Sequence, residues 1–168
     1  MRCIADTTAR PSSGPFPFPS VQYELRGFRT TDLNAIVAIV SEALHEYYES
    51  SLYHSLSQQW SQGFLVAAEA MGQPVGFLLG VIQSDHEARV LMFAVDRQRR
   101  EQGVGSMLMS AFLDRCRDRG LRRVTLEVRV SNANAIRFYT RFRFSVVDLL
   151  RGYYSDGENG YQMARDLT

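Results

Sequence analysis

Residues 88–108 read ARVLMFAVDRQRREQGVGSML. From Val90 to Val95 every position is apolar. A half-exposed strand would alternate, so an unbroken run of this length suits a central strand covered on both faces. A polar connection follows, ending in two arginines, Arg99 and Arg100, and two glycines one residue apart, Gly103 and Gly105. The pattern then becomes helical over 104–119, with Leu108, Ala111, Phe112, Leu113 and Cys116 on the inner face and Arg115, Asp118 and Arg119 outside. Gly120 is the expected stop. Bare backbone and positive charge at the mouth of a helix suit a phosphate. The glycines remove Cβ, the first turn offers unpaired N–H groups and a positive dipole end, and Arg100 adds a charged fork. A side chain at Gly105 is expected to stand where a pyrophosphate approaches.

The same reading extends in both directions. Residues 1–20 contain RPSSGPFPFPS, rich in proline and serine and without period, and are assigned to a flexible arm. Residues 21–168 form one domain. It opens with a short strand at YELRGFR, then a helix over TTDLNAIVAIVSEAL with Thr31 or Asp32 as its cap and Leu33, Ile36, Val37 and Val40 on one face. YYESSLYHSLSQQW is a weaker second helix, and GFLVAAEAMGQPVGFLLGVIQ is a hairpin turning at Gly-Gln-Pro. After the central helix come a strand at RRVTLEVRV, a short helix at NANAIRFYTRF, and two closing strands around SDGEN. The order is β-α-α-β-β-β-α-β-α-β-β, which predicts an α/β fold: a mixed, mostly antiparallel sheet flanked by helices on both faces.

Composition narrows the function. The chain has 168 residues and a net charge of +1, so no strong global field favours nucleic acid or a membrane surface. It contains no lysine, which excludes a catalytic lysine, while arginine serves phosphate and carboxylate equally well. Two cysteines, Cys3 and Cys116, and no apolar leader point to a reducing, cytoplasmic setting. No apolar run is long enough to span a membrane. No metal site is expected: HEYYE lacks the second histidine of a zinc motif, and His45, His54 and His86 show no ligand spacing. Cys116 on an apolar helix face is a poor nucleophile. A Walker loop is excluded by the missing Gly-Lys-Ser/Thr. A dinucleotide fingerprint is weakened by Leu108 in place of the third glycine and by the long polar link after Val95.

With those rivals set aside, Arg100-x-x-Gly103-x-Gly105 after an apolar strand resembles the acetyl-CoA signature of the GNAT acetyltransferases. LEVRVSNANAIRFYTRFRF at 126–144 and YYSDGENGYQMARDL at 153–167 resemble the N-terminal acetyltransferase branch of that superfamily. The likeness covers about residues 22–167. It implies acetyl-CoA as cosubstrate with no metal, and direct acetyl transfer to the α-amine of protein or peptide N-termini with small first residues or Met. Ribosomes or ribosomal proteins become candidate partners, with no membrane and no specific nucleic acid. Cofactor contacts are implied for Phe93, Ala94, Val95, Arg100, Glu101, Gln102, Gly103, Val104, Gly105, Ser106 and Asn132. A GNAT acting on lysine or a small amine, and a silent CoA-binding subunit, are the competing readings.

Acetyl transfer to an amine needs a base, a polarised carbonyl and a proton for the leaving thiolate. In TLEVRV, Thr125, Glu127 and Arg129 share one strand face. Glu127 is the candidate general base, directly or through a water, and a plain ion pair with Arg129 is the competing reading. Tyr139, two helical turns after Asn132, is the candidate general acid. Backbone N–H near Val95 would polarise the carbonyl. Glu46 in LHEYY, with Tyr48 and Tyr154, is assigned to the substrate side. Two departures from the family pattern stand out. Arg143 occupies a glycine position after the short helix, so that turn is expected to differ, and Arg89 falls where some relatives have a histidine.

Overall fold

The computed structural model describes residues 22–44 and 48–167. The proposed arm at 1–20 lies outside the described residues. Seven strands form one sheet in the order β1-β2-β3-β4-β5-β7-β6. The strands are β1 (Glu24–Gly27), β2 (Phe64–Ala68), β3 (Pro74–Ser84), β4 (Glu87–Val95), β5 (Arg123–Arg129), β6 (Ser145–Leu150) and β7 (Gly160–Asp166). The helices are α1 (Leu33–Leu44), α2 (Ser50–Gln59), α3 (Val104–Asp118) and α4 (Ala133–Arg141). The element order is the expected one, and β4 is the middle strand of the seven. Every neighbouring pair is antiparallel except β4–β5.

Two cores lie on the two faces of the sheet. On one, α3 and α4 bury Leu108, Phe112, Cys116, Phe138 and Tyr139 against Val90, Phe93, Leu126 and Val128. On the other, α1 and α2 bury Ile36, Val40, Tyr53 and Leu56 against Phe77, Leu79, Met92 and Ala94. Covering both faces is why β2 and β4 carry unbroken apolar runs. Ala111, expected on the inner face of α3, is partly buried, while Met109 is fully inside.

The start of α1 differs from expectation. The helix is preceded by a 3₁₀ turn, Thr30–Asp32, whose N-cap is Arg29. Asp32 is therefore not the cap. Its carboxylate reaches back to accept the Arg29 N–H at 2.7 Å and a bidentate pair from Arg26 at 2.7 and 2.8 Å. Arg26 also donates to the Gly72 carbonyl at 3.2 Å, pinning β1 to the β2–β3 turn.

Gly120 ends α3 as expected, in left-handed conformation at φ 79°. Leu121 N–H donates to the Cys116 carbonyl and Gly120 N–H to the Arg117 carbonyl, the Schellman arrangement. Helix α4 ends the same way, with Phe144 N–H to the Tyr139 carbonyl and Arg143 N–H to the Thr140 carbonyl. The expectation of a different turn at Arg143 is corrected. The arginine itself takes the left-handed conformation, at φ 61°, and the turn is kept.

Candidate active site

Strands β4 and β5 pair over three positions, the last being Arg89 opposite Thr125. Beyond that point they separate, leaving Val90–Val95 and Leu126–Arg129 without each other as ladder partners. A bulge produces the divergence. The β3–β4 register shifts between Leu79 and Gly80, so that Leu79 faces Met92 and Gly80 faces Val90, with Leu91 inserted. Leu91 and Met92 consequently point to the same core, breaking the alternation of the strand. The gap is a slot in the middle of the sheet, where the facing edges of the two strands lack a ladder partner in each other.

Backbone donors line the slot. Asp96 N–H bonds the Val75 carbonyl on the β3 side. Alternation of the ladder then turns the N–H groups of Val95 and Phe93 away from β3, toward the gap. The Val95 carbonyl accepts Arg100 Nε at 3.1 Å.

The glycine loop is held from several directions. Arg99 Nε meets Glu69 Oε1 at 2.5 Å, tying the loop to the β2–β3 turn. Gln102 donates to the Gln98 carbonyl at 3.0 Å and accepts the Tyr23 hydroxyl at 2.5 Å. Glu101 and Gly103 both take left-handed backbone, at φ 62° and 84°, immediately before α3 begins. Successive N–H groups in such a conformation, opening onto a helix N-terminus, form a concavity for an anion. The two glycines do different work. A Cβ on Gly103 would meet nothing within 4 Å. A Cβ on Gly105 would meet Phe93 Cζ at 3.4 Å and Phe138 at 3.7 Å. Gly105 therefore lets α3 pack closely on β4 and α4, and its side-chain direction is into the core rather than toward the loop mouth, which corrects the expectation for that position.

Glu127 lies on β5 just past the parting point and is 5% exposed. Its expected same-face partner, Arg129, is engaged elsewhere: it pairs with Asp156 at 2.8 Å and with Glu158, and stacks over the Tyr154 ring at 4.2 Å. Glu127 is instead bonded by Arg89 across the sheet, Nε at 2.9 Å and Nη2 at 2.8 Å, both to Oε2. The same Nη2 donates to the Tyr153 hydroxyl at 2.9 Å. Sequence reading singled out Arg89 as a departure but not as a partner of Glu127. Its alternation with Ala88 and Val90 on β4 was the signal that could have found it.

Tyr139 is fully buried on α4, its ring packed near Phe93, Phe138 and Phe144. It belongs to the opposite face of the sheet from Glu127, packing in the core that Leu126 and Val128 join. Asn132 caps α4, its Oδ1 accepting Ala135 N–H at 3.1 Å. Its side-chain carbonyl is thereby committed to the helix, and its amide N–H₂ stays available as a donor.

On the substrate side, Tyr48 is half-buried, and Glu46 lies outside the described residues. Tyr154 is 4% exposed beneath Arg129, whereas Tyr153, edge-on to it at 5.1 Å, is 36% exposed. The exposed ring at this corner is thus Tyr153 rather than Tyr154. The connection carrying both is a nine-residue loop, not a tight hairpin, turned at Gly157 with φ 82°. Glu158 anchors it to the start of α4, accepting Ser131 N–H at 3.1 Å and the Ser131 hydroxyl at 2.5 Å. Hydrogen bonds from Ser131, then from Arg129, hold the Glu158 carboxyl below the usual carboxylate range.

Burial pushes the Cys116 thiol up to about 12, so it offers no thiolate for an acyl-enzyme. No helix among the described residues is long and apolar enough to cross a membrane.

Known proteins resemble the chain in sequence and fold. Residues 33–144 match the model of the acetyltransferase (GNAT) family. An N-alpha-acetyltransferase of Sulfurisphaera tokodaii is 33% identical over 158 residues, covering 87% of this chain and 94% of its own. The structure of Ard1 from Thermoplasma volcanium superposes with a TM-score of 0.83 at 42% identity, covering 87% of this chain and 98% of that one. The ribosomal-protein-S18-alanine N-acetyltransferase of Escherichia coli gives 0.76 at 28% identity, covering 88% and 95%.

Proposed function

The chain belongs to the GNAT family of acetyl-CoA-dependent acetyltransferases, and from that premise we propose that its acceptor is the α-amino group of protein N-termini, with a small first residue or Met. The observation that carries this reading is the slot between β4 and β5, with Glu127 on one face and the anion-binding loop and α4 serving the other. Such an arrangement lets acceptor and donor enter from opposite sides and meet inside the sheet. The N-alpha-acetyltransferase at 33% identity and the ribosomal-protein-S18-alanine N-acetyltransferase at 28%, each matched across almost its whole length, support the α-amine over other acceptors.

In this reading the loop from Arg100 to Ser106 and the first turn of α3 hold the pyrophosphate of acetyl-CoA, as the left-handed backbone and open Cβ direction at Gly103 allow. Phe93, Ala94 and Val95 would flank the thioester arm, and the Val95 N–H turned into the slot would polarise the carbonyl. Asn132 would donate its amide N–H₂ to the same arm. The amine nitrogen forms the new N–C bond as the C–S bond breaks. Glu127 takes the amine proton, directly or through a water, and Tyr139 gives its phenolic proton to the departing thiolate. An α-amine titrates near ~8 and a thiol near ~8.5, so both transfers need modest tuning. Partners are then protein or nascent N-termini, ribosomal proteins among them.

The test is a peptide library with acetyl-CoA, read by mass spectrometry. Peptides beginning Ser, Ala or Met are expected to gain one acetyl group at the terminus. The same peptides blocked at the terminus, with an internal lysine, should react far less. Equal turnover of the blocked peptides would overturn the N-terminal reading and leave the acetyltransferase in place. Replacing Tyr153 or Tyr154 with Ala should raise peptide KM more than acetyl-CoA KM.

A further inference from the structure

Arg89 stands at the last paired position of β4, where the slot opens. Its side chain is 24% exposed, and its guanidinium is shared between the Glu127 carboxylate and the Tyr153 hydroxyl. The proton transfers described above do not call on it. Among the described residues, the neighbouring charges on these strands engage one another. On β4, Glu87 accepts the Thr125 hydroxyl at 3.1 Å and lies 3.8 Å from Arg123. On β5, Arg129 is held by Asp156 and Glu158 of the β6–β7 loop. On β7, the residue opposite Glu127 is Gln162, which carries no charge. Among the described residues, Arg89 is the cation bonded to Glu127.

A buried carboxylate facing an incoming amine has a drawback. Opposite charge nearby favours the charged form of a titrating group, so a lone Glu127 would hold the substrate as its ammonium. An ammonium has no lone pair and cannot attack a thioester. A cation beside the carboxylate removes that bias, because the pair presents little net charge to the amine. It also fixes Oε2 in place through two donors, leaving Oε1 outside the pair.

We propose that Arg89 is a positioning and charge-balancing residue: it holds the Glu127 carboxylate between the parting strands and keeps the site from trapping the acceptor as ammonium. Through Tyr153 the same guanidinium ties the substrate-side loop to the base. The proposal rests on the reading of Glu127 as proton acceptor.

Steady-state kinetics of the full chain on a Ser-initiated peptide, from about pH 6 to about pH 9, tests it. Arg89→Gln is expected to lower kcat about tenfold or more near neutrality. The acidic limb of kcat, which reports the enzyme–substrate complex, should move to higher pH by about one pH unit, because the unbalanced carboxylate favours the bound ammonium. Peptide KM near neutrality should stay level or fall, since the ammonium form binds at least as well. Arg89→Lys, which keeps the charge, should restore most of the limb. Unchanged acetyl-CoA affinity by calorimetry shows that both variants are folded. An acidic limb that does not move in Arg89→Gln, or one that moves equally in Arg89→Lys, overturns the charge-balancing role while an impaired Glu127→Gln leaves the base assignment standing. Normal turnover of Glu127→Gln overturns the base assignment, and the role of Arg89 with it.

Discussion

Tyr139 and Glu127 illustrate how much a single side chain depends on which face of the sheet it occupies. Period-two alternation along β5 sends Glu127 toward the α1–α2 side while Leu126 and Val128 join the core that contains Tyr139. The base and acid candidates are thus set on opposite faces of the sheet, which suits two proton transfers at opposite ends of one reaction. Tyr139→Phe keeps the ring among Phe93, Phe138 and Phe144 and removes the phenol alone. Stability should change little, while kcat should fall on the order of 10²-fold with smaller change in acetyl-CoA binding. Stopped-flow or steady-state rates with a fixed peptide measure this, and an unaffected kcat would place the acid elsewhere. Arg143 is the other instructive residue. It bears left-handed backbone that a glycine adopts freely, at a cost of about 1 kcal/mol. Arg143→Gly is expected to stabilise the fold by about 1 kcal/mol, raising Tm by roughly 3 °C. Thermal unfolding that shows no gain would mean the strain is absorbed elsewhere.

At the scale of elements, the bulge at Leu91 and the loop before α3 are coupled parts of one device. The bulge parts β4 from β5, and the braces from Glu69 and Tyr23 hold the loop at the end of β4. A preorganised loop binds a pyrophosphate without ordering its own backbone at that moment. Gly103→Ala puts a Cβ into open space but imposes left-handed strain on an L-residue. Acetyl-CoA affinity should fall by about tenfold, or ~1.4 kcal/mol, by calorimetry. Gly105→Ala, whose Cβ would make ordinary contact with Phe93, should affect affinity less. The reverse ranking would assign the ligand-facing role to Gly105.

For the molecule as a whole, the buried Arg26–Asp32 pair fastens β1 and the entry to α1 onto the β2–β3 turn. Burial pushes the Asp32 carboxyl upward, but the hydrogen bonds from Arg26 and from the Arg29 N–H outweigh it and hold the group below its ordinary value. A folded value below the unfolded one means that the stabilisation is complete above the unfolded pKa of about 4. It is then lost as pH falls through the lower, folded value. Acid unfolding should therefore begin below about pH 4. Asp32→Asn should flatten that part of the profile and destabilise the protein near neutrality by about 3 kcal/mol, because Arg26 is left buried without its counter-charge. Denaturant titrations across pH check both, and an unchanged acid limb in Asp32→Asn would show that other carboxylates govern it.

What the chain determines locally was legible from its residues. Unbroken apolar runs, helical spacing, Gly120 and the Gly-x-Gly before α3 arise from backbone and side-chain preferences within a few positions. They are enough to read the order of elements, the central place of β4 and the glycine turn before α3. Features that depend on register or on partners far along the chain were not. The Leu91 bulge is a mismatch between two strands and leaves no mark in the apolar run of either. The pairing of Glu127 with Arg89 rather than Arg129 spans 38 residues and follows from the parallel register of β4 and β5. The inward direction at Gly105, the burial of Tyr154 and the exposure of Tyr153 were likewise set by how α3, α4 and the last loop pack together. A side chain's type is local, but its direction and its neighbour are decided when the sheet is assembled.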